Sequence, residues 1–187
     1  MTPMKAASHT GLIRSLSRLA RDVRAVSAVE FAMILPIMVT LFLGGTELSQ
    51  AIAVKRKSVL VNRTIADLVA QDSSITNAEM AGIFNASAAV ILPYTAANLK
   101  IVVSGVSVDA GGIATVVWSD PYQATARTVG SAVTLPTGLN TPNSWLVFAE
   151  TTYDYTPPIG YTIVGTLPLK DTMYLRPRLT TTIARVP

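Results

Sequence analysis

The sequence predicts an α+β protein anchored in a membrane, on three observations. An apolar stretch of 21 residues, VSAVEFAMILPIMVTLFLGGT, extends from Val26 to Thr46 and is long enough to cross a bilayer as a helix. Apolar residues then recur at helical spacing from Leu48 to Ala70, a segment without glycine or proline. After Pro93 the apolar period changes to two, which is typical of strands.

The first helix is predicted to be far longer than a membrane requires. A helix continuous from Val26 to Gln71 would measure about 70 Å at 1.5 Å per residue, whereas a hydrocarbon core is about 30 Å thick. We therefore expect the transmembrane helix to continue outside the membrane for about half its length. The sequence Asp72-Ser73-Ser74 is a plausible end for it.

A second, shorter helix is predicted from Asn77 to about Val90. It is preceded by Thr76 and has Glu79 at its third position, the pattern of a capping box. Pro93 is expected to stop it.

An antiparallel sheet of about four strands should follow. The predicted strands are Leu99–Val108, Ile113–Ser119, Trp145–Tyr155 and Met173–Ala184. The sequence Asp109-Ala110-Gly111-Gly112 between the first two indicates a hairpin, and Pro177 indicates an edge or a bulge in the fourth. Residues 121–143 and 157–172 are predicted loops, rich in proline, glycine and threonine.

The positive charge belongs to the first 25 residues. They carry Lys5 and four arginines against Asp22, a net charge of +4, whereas the ten basic and ten acidic residues after them cancel. No basic stripe for nucleic acid is therefore expected. We divide the chain into a basic cytoplasmic leader (1–25), a long transmembrane and extramembrane helix (26–72) and an α+β domain (73–187).

Catalytic and metal-binding residues are scarce. The chain has no cysteine, and its one histidine, His9, lies in the leader, so thiol chemistry and a histidine cluster within one chain are excluded. The acidic residues Asp109, Asp120, Asp154 and Asp171 are scattered, without the short spacing of a calcium loop. We expect no cofactor, no metal, no small-molecule substrate and no enzymatic activity. A membrane-tethered enzyme would need a carboxylate pair or Ser/Lys chemistry, which no spacing supports.

The residues alone leave two questions about the apolar segment open. One is whether it is a signal peptide, and the other is in which direction it crosses the membrane. Ala51-Ile52-Ala53 has the small-x-small form of a signal-peptide cleavage site, although Glu47 lies between it and the apolar core, and the core is too long for a signal peptide. Basic residues also flank both ends of the span in equal number, so the positive-inside rule gives no orientation.

Glu30 is the most informative polar residue of the span. A carboxylate inside a membrane costs about 2.5–3.5 kcal/mol on insertion scales, so it ordinarily has a partner. Close to the start of the helix it can instead extend to the headgroups.

The sequence around Glu30 resembles a known family. Arg24 to Phe31 reads RAVSAVEF and leads into AMILP, which is similar to the N-terminus of the TadE-like family, the minor pseudopilins of Tad (Flp, type IVc) pili. The resemblance is strongest over residues 21–57. It is weaker over residues 145–184, where YDYTP and RPR are similar in character to the family's strand-and-loop ending.

The resemblance implies cleavage between Ala25 and Val26 by a membrane prepilin peptidase. The family usually has glycine before the cleaved bond, where this chain has Ala25. Cleavage would expose an amine at Val26, one helical turn from Glu30, and in a stack of helices the carboxylate of one subunit could pair with the amine of the next. Glu30 and Phe31 are therefore the candidate subunit-assembly residues.

The resemblance also implies a function and a location. It predicts a minor pseudopilin in the bacterial inner membrane, single-pass and with a periplasmic C-terminal domain, that takes part in assembly or initiation of the pilus and can be incorporated into it. The implied partners are other pilins and pseudopilins, the prepilin peptidase and the inner-membrane assembly platform. The alternative is a pilus-tip or surface adhesin that binds through the two long loops.

Overall fold

The structure is a computed structural model that describes residues 23–160 and 165–187, with side chains from Val26 onward. The predicted leader, with His9 and most of the basic cluster, lies outside the described residues. The chain divides into two compact units between Thr46 and Glu47, and each is described by itself.

The described chain contains two α-helices, a short 3₁₀ turn and seven strands. The helices are α1 (Val23–Ala70) and α2 (Asn77–Ala89), and the 3₁₀ turn is Ala96–Asn98. The strands are β1 (Ser74–Ile75), β2 (Leu99–Val108), β3 (Ala114–Tyr122), β4 (Ala132–Val133), β5 (Ser144–Tyr155), β6 (Leu167–Leu175) and β7 (Ala184–Arg185).

The first unit contains the N-terminal part of α1. Its apolar segment, residues 26–46, buries none of its large apolar side chains within the chain; the exposed ones are Val26, Val29, Phe31, Met33, Ile34, Leu35, Ile37, Met38, Val39, Leu41 and Phe42. Pro36 lies within the helix, and the Thr40 hydroxyl donates a 2.8 Å hydrogen bond to the Pro36 carbonyl. A helix that is apolar on every side is suited to lipid or to other apolar helices.

The second unit begins with the outer segment of α1, residues 47–70, which has one buried face. Eight residues at helical spacing are nearly inaccessible: Val54, Ser58, Val61, Asn62, Ile65, Ala66, Val69 and Ala70. Residues between them, such as Arg56 and Arg63, are exposed. The apolar residues of this stripe pack in one buried cluster with residues of the sheet.

The turn between the two helices is fixed by backbone and side-chain hydrogen bonds. The Arg178 amide donates to the Ala70 carbonyl at 2.8 Å, which satisfies an otherwise unpaired group at the end of α1. At the start of α2, Thr76 and Glu79 form both hydrogen bonds of a capping box. The predicted limits of both helices agree with the structure within a few residues.

The main sheet is antiparallel with the strand order β4-β3-β2-β5-β6. The β2–β3 hairpin forms where the sequence predicted it, because the Asp109 carboxylate accepts hydrogen bonds from the amides of Gly111 and Ile113. Gly112 adopts a positive φ of 81° in that turn. A separate parallel pair joins β1 to β7.

The sheet has a buried cluster on each face. The larger cluster joins α1 and α2 to residues such as Ile101, Val103 and Val147. The smaller cluster lies on the opposite face and includes Val106, Val116 and Leu146.

A register shift at Gly105 lets neighbouring β3 residues serve both clusters. Trp118 pairs with Gly105 and Val116 pairs with Val106, so Val117 is the extra residue of a bulge. As a result, Trp118 lies in the larger cluster and Val116 in the smaller. Gly105 is required here because an added Cβ would lie 2.4 Å from Trp145 and 2.5 Å from Trp118.

Two details of the predicted sheet are wrong. The fourth long strand is Leu167–Leu175 instead of Met173–Ala184, so part of the predicted 157–172 loop is strand. The chain leaves the sheet before Pro177, whose missing amide cannot continue the ladder. Within the predicted 121–143 loop, Ala132–Val133 forms the short strand β4, giving five strands in the main sheet instead of about four.

Candidate functional site

The predicted assembly residues lie in the first turns of the described helix. Val26 and Glu30 are four residues apart in α1 and therefore share a face. Val26 is 48% exposed and Phe31 is 58% exposed. Among the described residues, the Glu30 carboxylate has no ion-pair or side-chain hydrogen-bond partner. This face is therefore available to groups outside the chain.

The Ala25–Val26 peptide bond lies near the beginning of the described part of α1, which starts at Val23. The side chain of Ala25 lies outside the description.

A family model decides what this segment is. The model of the TadE-like protein family matches residues 25–57. Residues 25–57 are therefore similar to that family. The match begins at the residue before the predicted cleavage point and ends in the outer segment of α1, and it confirms the resemblance read from the sequence. No curated protein and no solved structure matches the chain.

The TadE-like match gives a coarse function and location. The family is structural and associated with Tad pilus systems. Within the described residues, one helix is long and apolar enough to cross a membrane, and its most apolar stretch is unburied within the chain. Together these findings show that residues 25–57 are similar to a pilus-associated family and that the described residues contain one candidate membrane span, near the N-terminus.

Glu47, inside the TadE-like match, connects α1 to a loop of the sheet. Its Oε1 accepts a 2.8 Å hydrogen bond from the Ile159 amide in the β5–β6 loop. The Tyr155 hydroxyl lies beside the same carboxylate, and burial first, then the charge of Glu47, raises the pKa of Tyr155. The beginning of the outer segment is thereby fixed to the end of β5.

Asp171 on β6 fixes the middle of the outer segment. Its two carboxylate oxygens accept hydrogen bonds from Asn62 Nδ2 at 2.9 Å and from Lys55 Nζ at 3.2 Å. Lys55 also donates to the Lys170 carbonyl. On β5, the residue paired with Asp171 is Thr151, whose hydroxyl lies 3.4 Å from that of Ser58. These polar contacts lie within the buried stripe and set the register of helix against sheet.

The far end of the outer segment is held by the C-terminal residues. Arg178 pairs with Asp67 and, through its amide, with Ala70. Arg185 on β7 forms a two-point pair with Asp120, at 2.8 and 3.1 Å, and donates to Asn77 at 2.6 Å. The outer segment is thus attached at its beginning, middle and end, so it moves with the sheet as one body.

A shallow groove with polar lining lies on the sheet. Its volume is about 320 Å³, and its lining includes Lys100, Arg127 and Glu150. Arg127 pairs with Glu150 and lies 4.9 Å above the Phe148 ring, which stacks on Tyr174. These charges are already paired. Within residues 23–160 and 165–187, no group of three acidic or histidine side chains is placed to hold a metal.

Sequence reasoning found the N-terminal motif but missed the attachment residues. In the sequence, Glu47 serves only as an argument against a signal-peptide cleavage site. Asp171 is only one of several scattered acidic residues. A polar residue within a helical apolar stripe, such as Ser58 or Asn62, was the available signal. It indicates a partner across the core but cannot identify Asp171, which is 109 residues away along the chain.

We expect Asp171→Ala to destabilise the second unit, because it leaves Asn62 and Lys55 without their acceptor. Hydrogen bonds to a charged group contribute about 1.5–3 kcal/mol each. The matched control is Asp154→Ala, which removes an ion pair with the exposed Lys100 and should cost less than about 1 kcal/mol. Denaturant unfolding of the full chain in detergent, followed by fluorescence of its two tryptophans, measures both. Equal losses would contradict the assigned role of Asp171.

Proposed function

We propose that this protein is a minor pseudopilin that takes part in assembly or initiation of a Tad-type pilus. The observation that carries the proposal is the apolar segment: it is TadE-like, it is uncovered on every side within the chain, and it bears Glu30 one turn from a potential new N-terminus. A surface of this kind acts through contacts with lipid and with other apolar helices.

The length of the apolar segment supports a single crossing of the inner membrane. Residues 26–46 would span about 31 Å at 1.5 Å per residue, which matches a hydrocarbon core of about 30 Å. We place the basic leader on the cytoplasmic side, where anionic lipid attracts it. The sheet domain is then periplasmic, and the partners are pilins, the prepilin peptidase and the assembly platform.

Glu30 is proposed to set the position of a neighbouring subunit. Cleavage before Val26 creates a positive amine, and the Glu30 carboxylate of an adjacent helix can pair with it in a medium of low dielectric constant. A buried charge that loses its partner costs about 3–5 kcal/mol. Such a pair therefore disfavours neighbouring helices that are shifted along their axes, as buried polar groups do in coiled coils.

The sheet domain is proposed to act by contact and not by catalysis. The described residues supply paired ions and apolar packing, and the attachments along α1 make the outer segment and the sheet one body. The apolar segment would bring the subunit into contact with other pilins, and the outer segment and the sheet would then act together. A scarce subunit of this kind can begin a filament, because the first subunits bear the largest ordering cost.

Processing gives the first test of the proposal. We expect the mature chain to begin at Val26, and Ala25→Gly to accelerate cleavage by restoring the glycine that the family usually has. N-terminal sequencing and intact mass of the membrane-extracted protein measure both. A chain that still begins at Met1 in cells with an active pilus system would rule out the cleavage step.

Substitution of Glu30 tests its role in assembly. Glu30→Gln keeps the size and removes the charge, so membrane insertion should persist or improve, whereas recovery of pilin partners by pull-down should fall. Glu30→Asp is the matched control, since it keeps the charge and should retain more of the binding. Normal piliation and normal pull-down with the glutamine variant would show that Glu30 only faces the headgroups.

Deletion of the gene separates assembly from adhesion. We expect pili and surface attachment to be lost or sharply reduced while the major pilin still accumulates in the membrane, because the filament is not begun. Electron microscopy and a surface-attachment assay measure the two traits. Normal pili without attachment would favour the adhesin alternative, and normal pili with normal attachment would refute the pseudopilin proposal.

A further inference from the structure

The β5–β6 loop is held at a defined position along the chain. The Ile159 amide donates to Glu47 at 2.8 Å, and Glu47 directly follows the last residue of the apolar segment. The loop is therefore attached where the apolar segment ends. Pro157 is buried at its base, whereas Ile159 is 56% exposed.

The depth of this attachment follows from the length of the helix. If the 21 apolar residues fill a hydrocarbon core of about 30 Å, Glu47 lies at the boundary between acyl chains and headgroups. A backbone amide bonded to Glu47 must lie within a few ångströms of the same depth. While that hydrogen bond is made, the Ile159 amide lies in the headgroup layer.

The chemistry exposed beside Glu47 suits that layer. Leu48, the next residue of α1, is 63% exposed, and Ile52 one turn further is 45% exposed. Ile159, whose amide is bonded to Glu47, is likewise exposed, so each of these three apolar side chains is uncovered within the second unit. Apolar side chains of this kind are stabilised at the boundary between headgroups and acyl chains, while a backbone amide there needs the acceptor that Glu47 provides.

We propose that the Thr156–Gly160 part of the β5–β6 loop docks on the lipid surface around the exit point of α1, with Ile159 inserted among the headgroups and Glu47 as its tether. The occupant is lipid because Glu47, to which the loop is bonded, directly follows the last residue of the apolar segment. This inference requires only that the apolar segment spans the bilayer, and it is independent of any role in pilus assembly.

Site-specific labelling can test the contact, because the chain has no cysteine of its own. The full chain carrying Ile159→Cys is labelled with an environment-sensitive nitrobenzoxadiazole dye and reconstituted in phosphatidylcholine/phosphatidylglycerol vesicles. Leu179→Cys is the matched control: Leu179 is 73% exposed and follows Arg178, which binds the far end of α1, about 35 Å along the helix from Glu47.

We expect a blue-shifted dye at position 159. Quenching by lipid with a nitroxide near the headgroup end of its acyl chain should be several-fold stronger there than at position 179, and quenching by aqueous iodide should be weaker. Adding Glu47→Ala should reduce the lipid quenching at position 159, since the loop loses its tether.

Three outcomes would overturn the proposal. Equal iodide access at positions 159 and 179 would place the loop in water. Lipid quenching that Glu47→Ala leaves unchanged would show that Glu47 does not hold the loop at the membrane. A blue shift that disappears when the protein is diluted in excess lipid would show that a second copy covers Ile159 instead of lipid. These measurements do not depend on whether the protein takes part in pilus assembly.

Discussion

Packing of the outer segment of α1 on the sheet is the contact on which the rest of the structure depends. The buried stripe from Val54 to Ala70 supplies one side of the larger core cluster, and β2, β3 and β5 supply the other. Apolar burial alone would allow the helix to slide by a turn with little loss. The Ser58 and Asn62 contacts remove that freedom, because a shifted helix would leave buried polar groups unpaired.

Helix α1 has a different burial pattern on the two sides of Glu47: its outer segment has one buried face, whereas the large apolar side chains of the apolar segment are exposed. The described residues leave the large apolar side chains of the apolar segment exposed, and a surface of this kind suits lipid or other apolar helices. The outer segment is covered by its own domain and has exposed charges on the remaining face. A helix built in this way can be withdrawn from lipid into a bundle of similar helices without disturbing the fold that follows it.

The sequence allowed the local elements to be predicted better than their long-range contacts. The capping box at Thr76, the Asp109 hairpin and strand β2 are set by residues close together in the chain, and all three were found. The fourth strand was misplaced because Pro177 ends it, while Arg178 leaves the sheet to close the end of α1. Apolar and polar residues continue to alternate through that region of the sequence, so the periodicity could not mark the end of the strand.

For the site, the sequence motif predicts roles for Ala25, Val26, Glu30 and Phe31 that stay predictions, and it could not identify Glu47, whose partner is a backbone amide 112 residues away. The two glutamates lie at opposite ends of the same apolar segment and differ in one respect. Glu47 has a hydrogen-bond donor from its own domain, whereas the described residues offer the Glu30 carboxylate none. A carboxylate with an internal partner can serve the fold of a single chain. The contact with the sheet therefore lies at the Glu47 end, and the proposed contact between subunits is assigned to the Glu30 end, where the described residues leave the carboxylate without a partner.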